Sequence, residues 1–214
     1  MTTLSRDVPI DPVHAALLIV DVQNYCAHPD SAGSRSLNRQ QRHYLFGQLR
    51  ETVLPNLQLL QSVCRRAHIE VVYAAVENMT RDGRDRSLDY KISGIDVPRG
   101  SWDAQVLAEI SPADDEMVFR KTSSSVFIST NIDYVLRNLG VRSLIVAGMM
   151  TDQCVESAVR DACDLGYLVT LVTDACTTTS AERHEQSLLG IRGYCRHRAT
   201  DTLLTEIAGL TQSH

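Results

Sequence analysis

The run Gly148-Met-Met-Thr-Asp-Gln-Cys154 ends in a cysteine where an apolar, strand-like stretch (144–147) gives way to a helix-like segment. A thiol on the first turn after a strand meets the positive end of a helix macrodipole, which favours thiolate over thiol. Unpaired backbone N–H groups at the same turn can hold an oxyanion. One short segment thus offers a nucleophile and a place for the charge its attack creates. Two more polar residues stand at or just past the ends of apolar stretches: Asp21 after residues 15–20, and Lys121 after residues 116–120. In open parallel sheets ligands bind beyond the carboxyl ends of the strands, so all three would meet at one edge. There Asp21, its pKa raised by partial burial, would take the thiol proton and deliver it to a leaving group, while Lys121 steadies the negative charge.

Such a meeting requires a sheet of parallel strands, and the chain reads as one. Residues 15–20 form a short apolar run, residues 42–67 repeat apolar side chains at helical spacing, and residues 69–76 are apolar and β-rich. Pro55 is expected to kink or restart the helix. Residues 78–101 show little periodicity and are read as a long loop, a length that is usually functional in a compact domain. Strand-like residues 116–120 follow. Thr130-Asn-Ile-Asp133 fits a capping box opening a helix over 132–139, which Gly140 closes. Strand 141–147, helix 154–165, strand 167–172, helix 181–190, strand 195–199 and helix 201–210 complete the pattern. Strands apolar throughout predict an α/β fold, a three-layer α/β/α sandwich around a mostly parallel sheet. No linker or repeat divides the chain, so a single domain over 1–214 is expected.

Composition agrees and excludes other classes. At 43% hydrophobic and 22% charged residues the chain can bury a substantial core. A net charge of −5 without a basic cluster argues against nucleic acid or an anionic membrane as partner. No apolar run reaches the ~18 residues needed to span a bilayer, and residues 1–7 lack an apolar core of signal-peptide length. A cytoplasmic protein is expected. The six cysteines form no C-x-x-C pair, so reduced, mostly buried thiols are expected. His43, His68, His184 and His197 have no spacing that assembles a metal site.

Three segments together, Leu18-Ile-Val-Asp21-Val-Gln23-Asn24, Lys121-Thr-Ser-Ser-Ser-Val-Phe127 and Ala147-Gly148-Met-Met-Thr151-Asp152-Gln-Cys154-Val155-Glu156-Ser157, resemble the isochorismatase-like cysteine hydrolases. The resemblance runs from about residue 15 to about residue 199. It implies an Asp–Lys–Cys triad, carried here by Asp21, Lys121 and Cys154. It also implies a cis Met149–Met150 peptide that aims the Met150 and Cys154 amides into an oxyanion hole. Nicotinamidases of that superfamily carry an Asp-x-His metal motif after the second strand. The corresponding residues 74–78 hold no histidine, so neither a metal, nor any cofactor, nor nicotinamide as substrate is expected. The cysteine favours hydrolysis of a C–N bond through a thioester. Residues 154–158, followed by Arg160-Asp161, are most similar to the ureidoacrylate and biuret amidohydrolases, which points to a small amide or carbamoyl substrate of ureidoacrylate, biuret or N-carbamoyl type. The competing readings are a vinyl-ether hydrolase that needs no thiol and a non-catalytic binding protein of the same fold. The family's habit is a homo-oligomer, dimer or tetramer.

Pocket residues are read from position. Gln23 and Asn24 follow the base, so their amides are candidates for the substrate. Tyr25, Phe127 and Trp102 are candidate walls, and Glu77 and Asn78 face the same edge, with Asn78 a candidate substrate contact. Thr177–Thr179 follow the fifth strand and are candidates for the lining.

Overall fold

The computed structural model describes residues 4–211. Its centre is a six-stranded, wholly parallel sheet. The strands are β1 (Ala15–Val20), β2 (Glu70–Val76), β3 (Met117–Lys121), β4 (Ser143–Met149), β5 (Leu168–Thr177) and β6 (Arg196–Arg198), in the spatial order β3-β2-β1-β4-β5-β6. The chain builds outward from β1 to β3, then crosses back to lay β4 against β1 and builds the other way. β1 and β4 flank the point where the order reverses, and a crevice opens there beyond the strands' carboxyl ends. Every residue of β1 and β4 is buried, as expected of central strands covered on both faces.

The helices are α1 (Asn24–Ala27), α2 (Arg39–Gln48), α3 (Leu54–Arg66), α4 (Leu88–Ile92), α5 (Val126–Ser129), α6 (Ile132–Asn138), α7 (Glu156–Asp164), α8 (Ala181–Ile191) and α9 (Thr200–Thr211). α3 packs on β2 and β5 and against α9, while α7 packs on β5 and against α5 and α8, giving three layers. Leu45, Leu57, Leu60 and Cys64 supply the apolar stripe of α2–α3, and Leu203 and Ile207 that of α9.

Pro55 restarts its helix as expected: a π-helical turn, Leu49–Val53, joins α2 to α3, and Pro55 falls in the first turn of α3, where its missing N–H costs least. Three expectations are corrected. The rod begins at Arg39 with a capping box between Asn38 and Gln41. The capping box expected at Thr130 does not form, because α5 reaches it first. The Thr130 hydroxyl donates to the Val126 carbonyl at 2.6 Å, and α6 is capped by Asn131 without a side-chain bond. The loop 78–101 contains the helical turn α4, opened by Ser87, whose hydroxyl accepts from the Tyr90 N–H.

Register explains how distant residues share an edge. Val20 lies opposite Ala74 on one side and Gly148 on the other, and Val76 lies opposite Lys121. Gly148 (φ +124°) packs so tightly on β1 that a Cβ there would fall 2.1 Å from the Val20 carbonyl oxygen. The peptide between Met149 and Met150 is cis.

Candidate active site

Asp21 ends β1 in the left-handed region (φ 54°), which Asp tolerates better than most residues, with its N–H bonded to the Ala74 carbonyl at 2.9 Å. Lys121 is the last residue of β3 and is fully buried. Cys154 lies in a π-helical turn, Thr151–Val155, that leads from β4 into α7. The structure brings the three together. The Lys121 Nζ stands 2.9 Å from Asp21 Oδ2 and 3.3 Å from Cys154 Sγ, and donates to the Ser123 carbonyl at 2.9 Å and the Tyr90 hydroxyl at 3.0 Å.

Asp21 is 1% exposed, yet neither of its oxygens accepts a hydrogen bond of good geometry; the pair is held by charge. Burial pushes its carboxyl above the usual range, partly offset by the Lys121 charge and the Cys154 thiol. Burial alone would lower the Lys121 ammonium, but the Asp21 charge opposes it and the group is held well above its ordinary value. Burial also pushes the Cys154 thiol up to about 12, helped by the Asp21 charge and opposed by Lys121. Burial therefore outweighs the pull of the helix terminus toward thiolate, which is at most about 2 kcal/mol, and the resting group is a thiol.

The turn that carries Cys154 is braced by β5 and α8. Asp152 accepts from the Thr178 hydroxyl at 2.5 Å and from Arg183 Nε at 2.6 Å. The Thr151 hydroxyl pairs with His184 Nδ1 at 2.9 Å, and the Ser187 hydroxyl reaches the Thr151 carbonyl and the Glu156 carboxylate. β5 runs to Thr177, beyond the expected end at 172, and a register shift against β4 between Val146 and Gly148 marks the extension.

A cleft of about 180 Å³ opens onto Asp21 and Cys154, with Tyr25 and Met150 on its wall, as is Thr179 of the three threonines after β5. Other expected pocket residues point elsewhere. The Gln23 amide is occupied by backbone: it donates to the carbonyls of Val76 and Asp103 and accepts from the Val76 N–H. Asn24 donates to the Trp102 carbonyl at 2.8 Å, and Asn78 to Asp96 Oδ1 at 2.6 Å. Phe127 packs in the core with its ring centroid 6.0 Å from that of Tyr167. Trp102 is 47% exposed with His28 at its edge. Glu77 pairs with Arg120 and accepts from the Gly100 N–H. None of these side chains lines the cleft.

Sequence reading missed Tyr90. Its hydroxyl accepts from Lys121, lies 3.8 Å from Cys154 Sγ, and faces the cleft. Burial pushes its phenol far above the ordinary value, so it stays protonated. Ser87 before it and Gly94 after it bracket a helical turn and were the available signal. Among the described residues no group of three or more His, Cys, Asp or Glu could hold a metal ion, and no helix is long and apolar enough to cross a membrane.

The isochorismatase domain model matches residues 15–202. Ureidoacrylate amidohydrolase RutB of Caulobacter segnis is 29% identical over 191 residues, covering 85% of this chain and 80% of the relative. Nicotinamidase 3 of Arabidopsis thaliana is 29% identical over 185 residues, covering 83% and 80%. Among solved structures, a cysteine hydrolase from Pseudomonas syringae pv. phaseolicola superposes with a TM-score of 0.82 at 23% identity, over 98% of this chain and 99% of the other. N-carbamoylsarcosine amidase from Thermoplasma acidophilum gives 0.69 at 21%, over 87% and 96%. At these identities the structural matches speak for the fold.

Proposed function

The chain belongs to the isochorismatase family, and from that premise we propose that it is a cysteine-dependent amidohydrolase that cleaves a C–N bond of a small amide or carbamoyl compound through a thioester. One observation carries the reading: a buried thiol and a buried carboxylate lacking aligned donors, both lining one cleft and both within 3.3 Å of the same ammonium. Relatives that act on ureidoacrylate and nicotinamide support the bond type.

Cys154 Sγ attacks the carbonyl carbon as its proton passes to Asp21. The oxyanion lies on the Met150 and Cys154 amides, with Met150 extended (φ −79°, ψ 140°) at the cleft wall. Collapse breaks the C–N bond, and the amine leaves with the proton from Asp21. Water then attacks the thioester, Asp21 takes its proton, the C–S bond breaks, and the acid departs as the proton returns to sulfur. Lys121 stays charged throughout and balances whichever of Asp21 and Cys154 is anionic. The Tyr90 hydroxyl holds Lys121 in place and touches the sulfur. No metal or cofactor enters this sequence. The chain is taken as one catalytic domain working in the cytoplasm as a homo-oligomer.

The reading is tested by ammonia release from a panel of small amides, with acid-quenched mass spectrometry of the protein. Turnover abolished in Cys154→Ala, together with an acyl mass increment on the Cys154 peptide of the parent, is expected. Near-parental turnover by Cys154→Ala would sink the thiol mechanism in favour of a vinyl-ether or other thiol-independent hydrolase.

A further inference from the structure

The walls of the cleft specify more than the reaction. Among the described residues, the side chains that line it include a single charged one, Asp21, and its charge is balanced by Lys121 directly beneath. Tyr25, Leu37, Val76, Tyr90, Ile95 and Met150 line it together with the uncharged Ser36, Gln153 and Thr179. Several cations borne by the neighbouring segments are turned to other partners, and Arg35, exposed between Gly33 and Ser36, is not among the lining side chains. Arg42 donates to the Ser34 and Pro29 carbonyls, Arg86 to the Gly83 and Ile95 carbonyls beside Asp96, and Arg120 pairs with Glu77. At about 180 Å³ the cleft also falls below the ~300–1,000 Å³ of sites for drug-sized ligands.

We propose that this site takes an uncharged amide with a short, largely apolar acyl or carbamoyl group and rejects amides that carry a carboxylate. The proposal rests on the amidohydrolase reading and narrows it. A carboxylate drawn into this cleft loses its water and meets neither an arginine nor a lysine among the lining side chains. Among the described residues the ammonium at hand, Lys121, already has four neighbours and serves Asp21 and Cys154. A neutral acyl chain loses nothing on the same transfer and gains apolar contact. Ureido acids, N-carbamoyl amino acids and monoamides of diacids are therefore excluded as good substrates, whereas a neutral carbamoyl compound such as biuret is admitted.

Two readouts test this independently. The first is kcat/KM for butyramide against succinamate, which differ in a terminal carboxylate. The second is the rate of Cys154 alkylation by iodoacetamide and by iodoacetate, each followed on the Cys154 peptide and divided by its rate with glutathione. A preference of about 10²-fold or more for the neutral member of both pairs is expected. Leu37→Arg, which sets a cation on the wall, is expected to raise succinamate relative to butyramide by about 10-fold. Amide turnover without charge discrimination, or an unmoved ratio in a folded Leu37→Arg protein, would overturn the proposal and leave the amidohydrolase reading standing. Discrimination in alkylation without turnover of any amide would support the selectivity and overturn the amidohydrolase reading.

Discussion

A buried carboxylate without an aligned donor is an acceptor awaiting a proton, and Asp21 is placed to receive one from a thiol that will not ionise by itself. That pairing fixes the pH profile. In the proposed mechanism Asp21 must be ionised to act, and burial raises its pKa above the ordinary 3.8, so kcat/KM should fall on the acid side with an inflection above about pH 4. Cys154 stays protonated up to about 12, so no activation is expected near pH 9. A profile governed by an ascending limb near pH 9 would mean that free thiolate is the nucleophile. Tyr90→Phe keeps the ring and removes the bond to Lys121; a fall in kcat of about 10–10² with an unchanged circular dichroism spectrum is expected. An unaltered kcat would reduce the tyrosine to packing. That Asp21, Lys121 and Cys154 come together was legible because each sits at or just past a strand end and flanking residues reveal the strands. Gln23 and Asn24 misled because an amide looks the same whether it will bind substrate or backbone. Tyr90 was hidden because its contacts exist only after β3 and the nucleophile turn have been assembled around it.

At the scale of elements, the closeness of β1 to β4 decides whether base and nucleophile meet. Gly148 is the point of contact, facing the Val20 backbone one residue before Asp21. Gly148→Ala combines a positive φ with backbone overlap that no side-chain rotation relieves. It should therefore lower the melting temperature sharply and abolish turnover together; a folded, active variant would contradict the register described here. The strands and long helices were read correctly in order because apolar runs and helical periodicity are local properties. Their details were not. The π-helical turn before Pro55 accommodates a missing N–H by changing hydrogen-bond spacing over a whole turn. The five-residue α4 is too short for periodicity to reveal and is held by tertiary contacts through its buried Tyr90.

At the scale of the molecule, the fold buries thiols in their neutral form. Burial pushes Cys64, Cys154, Cys176 and Cys195 each to about 12, against an ordinary value of 9.0. The unfolded chain releases these protons near pH 9 while the folded chain keeps them, so their contribution is complete below pH 9 and is lost as pH rises toward 12. The melting temperature should fall progressively through that window, and a flat curve between pH 9 and 11 would refute the burial of these groups. The reversal of strand order has its own consequence. The half of the chain that builds β1 to β3 holds the ammonium–carboxylate pair, and the half that builds β4 to β6 holds the sulfur. The exposed turn around Leu139 and Gly140 is the seam between them. Cut there, the molecule becomes two pieces, one with charge but no nucleophile and one with a nucleophile but no base. Each piece alone is expected to be inert, and activity recovered on mixing would report the docking of one half-sheet on the other.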